Sequence, residues 1–181
     1  MIKYILLVIP TWYIYNFIEY CLHKLSHSCK YGGYIYKIHS NHHKIHYPAY
    51  NFIDTAPYKS TFLLGVPDVI IAFGPIGSLI TGVFYTILPF NIFLFVISEI
   101  YLLLFISDYI HTHYHIKNCW LEKYSWFLEK RKYHYIHHIK LNKNMSLSGL
   151  CNTYDILFKT NHPYINAGIV PFGGNLTPCT K

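Results

Sequence analysis

The residues best equipped for chemistry in this chain are histidines. His39, His42 and His43 are spaced i, i+3 and i+4, and His134, His137 and His138 repeat that spacing. His23 with His27, and His111 with His115, form i, i+4 pairs. Side chains three and four positions apart share a helix face, so each cluster predicts imidazoles converging on one point. Ten of the thirteen histidines fall into these clusters, leaving His46, His113 and His162 outside. Neutral imidazole is the commonest metal ligand in proteins, and scattered structural histidines would not sort into matched boxes. Ten rings are too many for one four-coordinate structural zinc, which makes two ions the natural count. Soluble di-iron bundles use Glu and Glu-x-x-His, a poor match to an all-imidazole set. Uncharged ligands leave the ions' charge uncompensated, which suits oxygen activation, although ligand type alone does not specify iron.

Carboxylates stand close to the histidines in sequence. Glu19 lies four residues before His23 and Asp108 three before His111, where each could accept a ring proton and fix the tautomer of a ligand. His46 and His113 are near enough to assist.

These side chains need elements to carry them. Residues 4–22 are largely apolar with only Glu19 charged, just long enough to span a bilayer, with Pro10 expected to kink the helix or end its first turns. A cleaved signal peptide is disfavoured, because no small-residue cleavage site precedes His23. Gly32-Gly33 separates the first pair from a helix expected at about residues 34–44, which Pro48 should stop. Residues 47–58 read as a surface loop whose tyrosines rest at the membrane interface. No Lys or Arg occurs from Ser60 to Ile116. Residues 61–107 suit two spans with a turn at Pro89-Phe90-Asn91, and Pro67, Gly74-Pro75 and Gly77 predict a kinked or partly re-entrant first arm. An even number of crossings returns the chain to the side it left, so both halves of the histidine set share one face. Residues 120–127 read as an amphipathic segment lying along the interface. Residues 142–152 read as loop, and 163–181 as poorly structured covering.

The expected fold is therefore all-α: an integral membrane helical protein with a histidine-rich helical cap on its cytosolic face. One domain spans 1–181. It divides into a membrane helix (1–22), the first pair and triplet (23–59), a membrane hairpin (60–108), the second pair and triplet (109–160) and a tail (161–181). Composition agrees: 52% of residues are hydrophobic and 13% charged, well below the usual quarter. The net charge of +7 comes from lysines, with Arg131 the only arginine. Lysines facing anionic headgroups explain that charge better than nucleic acid does, since no Arg-rich helix or recognised binding module is present. Flanking lysines put the histidine face in the cytosol. Five cysteines with no C-x-x-C support neither a disulfide framework nor a zinc ribbon and suit a reducing compartment.

In its motifs the chain resembles the fatty acid hydroxylase/sterol desaturase superfamily of membrane-bound, histidine-rich non-haem di-iron oxygenases. The stretch from Glu19 through His23 to His27 resembles the opening E-[YW]-x-x-H-[RK]-x-x-x-H, and His39 to Lys44 the H-x-x-H-H-K box. Asp108 to His115 is similar to D-x-x-H-x-x-x-H, and His134 to His138 to the final H-x-x-H-H. Tyr154-Asp155-Ile156-Leu157-Phe158-Lys159-Thr160 resembles W-D-x-x-F-G-T, with Tyr154 and Lys159 departing from it.

The resemblance implies that His23, His27, His39, His42, His43, His111, His115, His134, His137 and His138 hold two Fe ions, with zinc as a possible substitute. Glu19, Asp108 and Asp155 would stand behind them. O2 would be the co-substrate and a fatty-acyl or sterol lipid the substrate, in an endoplasmic reticulum-type membrane. Only 22 residues precede His23 and no cytochrome b5 domain is fused, so the resemblance implies an external donor such as cytochrome b5. The alternatives are a catalytically inactive metal-binding scaffold and a metal transporter, for which i, i+4 histidines are also typical. Against transport, the clusters sit at segment ends and leave no polar path across the membrane.

Overall fold

The computed structural model describes residues 2–54, 67–147 and 151–162. Six α-helices carry the fold: α1 (Ile2–Ser26), α2 (Gly33–Asn41), α3 (Pro67–Ile87), α4 (Phe90–Tyr114), α5 (Ser125–Ile139) and α6 (Thr153–Leu157). A π turn at His42–His46 and 3-10 turns at Ala49–Asn51 and Trp120–Lys123 fill the connections. No strand forms among the described residues, where a single bridge joins Asp54 to Ile116. Part of the expected 47–58 loop and the expected covering at 163–181 lie outside the described residues.

Tyr4–Ser26 and Phe90–Tyr114 are long and apolar enough to cross a membrane. At 1.5 Å per residue, each 25-residue helix is about 37 Å long, against a hydrocarbon core of about 30 Å. Their best windows are only 28% buried, so these helices are not the core of a soluble fold. Ile5, Leu6 and Ile9 on α1 and Phe90, Leu102 and Phe105 on α4 are exposed, as lipid-facing side chains would be. α1 and α4 run parallel: Asn91 Nδ2 donates to Tyr4 Oη at one end (3.1 Å) and Ser107 donates to Glu19 near the other. α3 packs antiparallel to α4 after a turn at Leu88-Pro89, while α1 and α4 pack directly on each other, and Tyr15, Val96 and Ile100, with Phe84 of α3 against them, form a shared core.

Of the proline expectations, the breaks do not occur: α1 continues through Pro10, and α3 is one helix through Pro75. A proline removes one backbone donor, and in an apolar helix the neighbouring turns absorb that loss more cheaply than a break, which would expose several donors and acceptors to lipid. α1 also runs past residue 22 and takes His23 with it. The expected 34–44 helix gives way to the π turn at His42. Residues 120–127 are a 3-10 turn and the start of α5; Leu121 and Phe127 turn inward to join Phe52, Ile110, Tyr114 and Tyr135 in the core of the cap, while Trp120, Tyr124 and Trp126 stay exposed, the two-faced character expected of this segment.

The lone arginine locks this cap to α4. Arg131 is 3% exposed, and its Nη2 donates to the carbonyls of His113 (2.8 Å) and Ile116 (2.9 Å) just where α4 ends. Its Nη1 meets Glu122 at 2.7 Å and its guanidinium lies over Phe127. A lysine could not make this planar set of bonds, which explains an arginine in a chain otherwise supplied with lysine.

The closing motif shows a second local constraint. Lys159 has φ 57° just past α6, a left-handed position where the resembled motif carries glycine. A side chain there costs about 1 kcal/mol. Lys159→Gly should therefore stabilise the protein by about that amount and raise its thermal midpoint in detergent by about 2–4 °C. An unchanged or lower midpoint would refute the strain.

Candidate metal centre

The centre is built at the ends of helices. The last turn of α1 carries His23 and brings His27 just beyond it, after which the chain reverses at Gly32 and Gly33. A Cβ on Gly32 would lie 2.6 Å from the Leu25 carbonyl, and Gly33 has φ +51°, so this corner needs glycine twice. The reversal lays α2 back across α1 and delivers His39. The end of α4 carries His111, with His115 just past it, and α5 carries His134, His137 and His138.

The rings assemble into two groups. His23, His27, His39, His43 and His137 have ligand nitrogens within 4.8 Å of one another, as do His42, His115, His134 and His138. His111 stands beside the second group, its Nε2 3.1 Å from that of His134. Neither triplet converges on a single point, contrary to the expectation from spacing. His39 and His43 enter the first group while His42 enters the second, and His134 and His138 enter the second while His137 enters the first. Adjacent helical residues diverge by about 100° around the axis, so i and i+4 serve one centre and i+3 must serve its neighbour. Each triplet is a bridge between the two groups.

Within the groups, Nε2 atoms approach closely: His39 to His27 and to His43 at 2.9 Å, His23 to His39 and His27 to His137 at 3.0 Å, His43 to His137 at 3.2 Å. In the second group His134 lies 3.2 Å from both His115 and His138. These cannot all be ordinary hydrogen bonds, because His39 Nε2 alone has three such neighbours and at most one proton to share among them. Nδ1 of His23 donates to Met145 O (2.5 Å), His137 to Lys143 O (2.7 Å), His115 to Phe52 O (2.9 Å) and His138 to Tyr47 O (2.8 Å). A carbonyl only accepts, so those rings carry their proton on Nδ1 and present a bare lone pair at Nε2. Lone pairs packed at such distances repel unless a cation lies between them. Ligand nitrogens bound at about 2.1 Å to one ion are separated by about 3.0–3.4 Å across octahedral or tetrahedral edges, so the donor set fits bound metal.

Two loops supply those four carbonyls. Tyr47 and Phe52 serve the second group from a loop fixed by the Asp54–Ile116 bridge, in which Asp54 N donates to His115 O (2.9 Å) and Lys117 N to Asp54 O (3.0 Å). Lys143 and Met145 serve the first. Their loop is clamped by Asp155, which accepts from the N–H of Met145 (2.6 Å) and Ser146 (2.9 Å), and by fully buried Asn144, whose Nδ2 donates to Tyr133 O (3.0 Å). The described residues of the expected 142–152 loop, 142–147 and 151–152, form no helix or strand, but they have a task that their sequence does not advertise. Any residue has a carbonyl, so Lys143, Met145, Tyr47 and Phe52 leave no signal; Asn144, at φ 54°, leaves a faint one as a residue type that tolerates that conformation.

The expected carboxylates divide. Asp155 acts one bond behind His23, through Met145. Glu19 takes hydrogen bonds from Tyr15 (3.1 Å) and Ser107 and so ties α1 to α4, while the ring proton of His23 goes to a backbone carbonyl. Asp108 lines the cavity described next. His113 donates to Tyr109 O (2.7 Å), and His162 bonds Lys140, so neither joins a group; His46 ends the π turn outside both. Tyr154, in place of the motif's tryptophan, still fastens α6 to α1 by donating to Tyr13 O (2.9 Å).

A cavity of about 260 Å³ rises between α1, α3 and α4. On α4 it is lined from Ile97 to His111, a stripe about 21 Å long. Its walls are mainly apolar, and its upper end is formed by His23 and His39 of one group with His42 of the other and His111 beside it. Since a cavity of about 150 Å³ accommodates benzene, this one has room for about ten carbon atoms.

Burial sets the protonation state of the rings beyond the spans. It lowers the pKa of His27 to about 3 and of His137 to about 4, and His39, His42, His43, His115, His134 and His138 fall well below the ordinary value, burial first and neighbouring imidazoles second. Neutral rings are the form that binds metal.

Imidazole-only donors at the ends of lipid-facing helices, above an apolar cavity, define the class: a membrane protein whose helical cap is built to hold metal. Residues 8–160, most of the chain, match the Fatty acid hydroxylase family, and the chain belongs to that family. Comparisons with curated proteins and with solved structures gave no match.

Two outcomes follow from these bonds. Asp155→Ala should weaken metal binding about 10–100-fold with all ten imidazoles intact, and Asp155→Asn less, as read by competition with a chromophoric chelator; equal affinities for all three proteins would remove Asp155 from the site. Metal-free protein should lose stability as pH falls from about 6.5, where unfolded histidines begin to bind protons, toward about 4, because the folded rings stay neutral there. A thermal midpoint that is flat over that range would contradict the burial of neutral rings.

Proposed function

We propose that the chain is an O2-dependent lipid hydroxylase or desaturase using a histidine-ligated di-iron centre on a fatty-acyl or sterol substrate. Family membership supports the reaction class. The observation that carries the reading is the cavity, because it leads from the membrane helices to rings of both groups at once.

Bound iron would supply the redox chemistry that activates O2 and oxidises a C–H bond. The chain's own residues do the rest. Ile97, Ile100 and Leu104 hold an apolar chain and keep water from it, while the Glu19–Ser107–Tyr15 bonds fix α1 against α4 beneath the centre. The carbonyls of Tyr47, Phe52, Lys143 and Met145 keep four Nδ1 protons in place and so keep the matching Nε2 lone pairs directed at metal. In hydroxylation one oxygen atom enters the lipid and the other leaves as water, with electrons from a donor outside the chain such as cytochrome b5. The proposed setting is an endoplasmic reticulum-type membrane with the cap in the cytosol, where lysine-rich flanks favour it.

The test is anaerobic Fe(II) reconstitution of the detergent-purified chain, followed by iron content and O2 uptake with reduced cytochrome b5 and a mixed lipid extract. Two irons per chain and lipid-dependent uptake are expected. His42→Ala and His137→Ala, each removing a ring that a triplet lends to the opposite group, should abolish uptake and lower iron content. Stoichiometric metal without uptake would favour a scaffold, metal moved across vesicles without O2 consumption a transporter, and failure to bind about two metals would defeat the di-iron reading.

A further inference from the structure

The two groups differ in what surrounds them. In the second, His42, His115, His134 and His138 are 2%, 0%, 1% and 6% exposed. Aromatic rings close around it: Tyr47 stacks on His115 at 4.3 Å, Phe52 meets His115 at 4.6 Å and His138 at 4.9 Å, and Tyr114 lies 5.4 Å from His134. In the first group His27 and His39 are only half-buried. A second cavity, about 380 Å³, has His27 and His43 in its wall and shares Ser26 with the apolar one. Its other lining includes hydroxyl, amide and ammonium groups, from Ser28, Tyr36, Ser40, Asn142, Lys24 and Lys44, set among their aliphatic stems. Leu141 and Met145 complete it on the side of the 140–147 loop.

A metal ion leaves a multidentate site by stepwise replacement of its ligands, and each step needs water or an incoming ligand to reach the ion. Hydroxyl and amide walls admit water and aromatic walls exclude it. We propose that the two groups exchange metal at different rates, and that the cavity lined by His27, His43 and the polar side chains around them is the aqueous route by which metal reaches and leaves the group containing His27. The second group is the slow one, walled by Tyr47, Phe52 and Tyr114 and meeting, through His42, the mainly apolar cavity. The centre then passes through a state with one metal per chain, held by His42, His115, His134 and His138, whenever chelating conditions prevail. This inference rests on the reading that both groups hold metal.

The experiment follows metal content, not activity. The full chain, loaded with Zn(II) to two ions per chain in detergent, is challenged with excess EDTA, and protein-bound metal is measured over time after rapid desalting. Two phases of equal amplitude are expected, the first on the order of tenfold faster or more. Ser40→Trp and, as a second plug from the opposite wall, Leu141→Trp should slow the fast phase alone. Phe52→Ala, which keeps the backbone carbonyl but opens the aromatic wall, should speed the slow phase alone. Release of both metals in a single phase would overturn the inference and leave the proposed function standing, as would plugged variants that fold and load normally yet keep the fast phase unchanged. A chain that never holds two metals would overturn both.

Discussion

Everything in the cap answers to one repulsion: ten imidazoles gathered at the ends of four helical segments, with more nitrogens at about hydrogen-bond distance than there are protons to share between them. Such a cluster is unfavourable by itself. Its geometry persists because each group's rings are held from behind, by carbonyls that accept the Nδ1 proton and by loops that cannot move without breaking further bonds. Asp155, Asn144 and the Asp54–Ile116 bridge are the outermost parts of that restraint, and Arg131 performs the same service for the end of α4. A cation offsets the repulsion directly. Assembly of the cap and occupation of its centre are for that reason one thermodynamic problem.

The membrane helices and the cap divide the work. α1 and α4 are longer than the hydrocarbon core, so their last turns stand clear of it and carry His23 and His111 to the level where the cap can reach them. The apolar cavity is the space that remains when α1, α3 and α4 pack with small residues such as Gly74 and Gly77 facing inward. Its closed end is therefore the centre itself.

The sequence made some of this legible and hid the rest for physical reasons. The four boxes, the membrane helices and the turn at Pro89 could be read because each is a local pattern: a spacing, an apolar run, a breaker. The division of His42 from His43 was also implicit in helix geometry, since neighbours diverge by about 100°, but pattern matching treats a triplet as one unit. The carbonyl anchors were not readable at all, because hydrogen bonds from His23 to Met145 and from His138 to Tyr47 span some hundred residues and involve atoms that every residue possesses. Pro10 and Pro75 left a kinked and a broken helix both open, and neither helix breaks, because lipid penalises a broken helix more than a missing donor.

The exchanged triplets have a mechanical meaning. His42 and His43 belong to different groups yet are joined by one peptide bond, as are His137 and His138. Consecutive α-carbons are fixed about 3.8 Å apart. The separation of the two groups is accordingly gauged twice by covalent geometry, on two independent segments, and owes nothing to how α1 and α4 tilt. A thicker or thinner bilayer, or a bulkier guest between the helices, can lean the bundle while the spacing at the top stays the same.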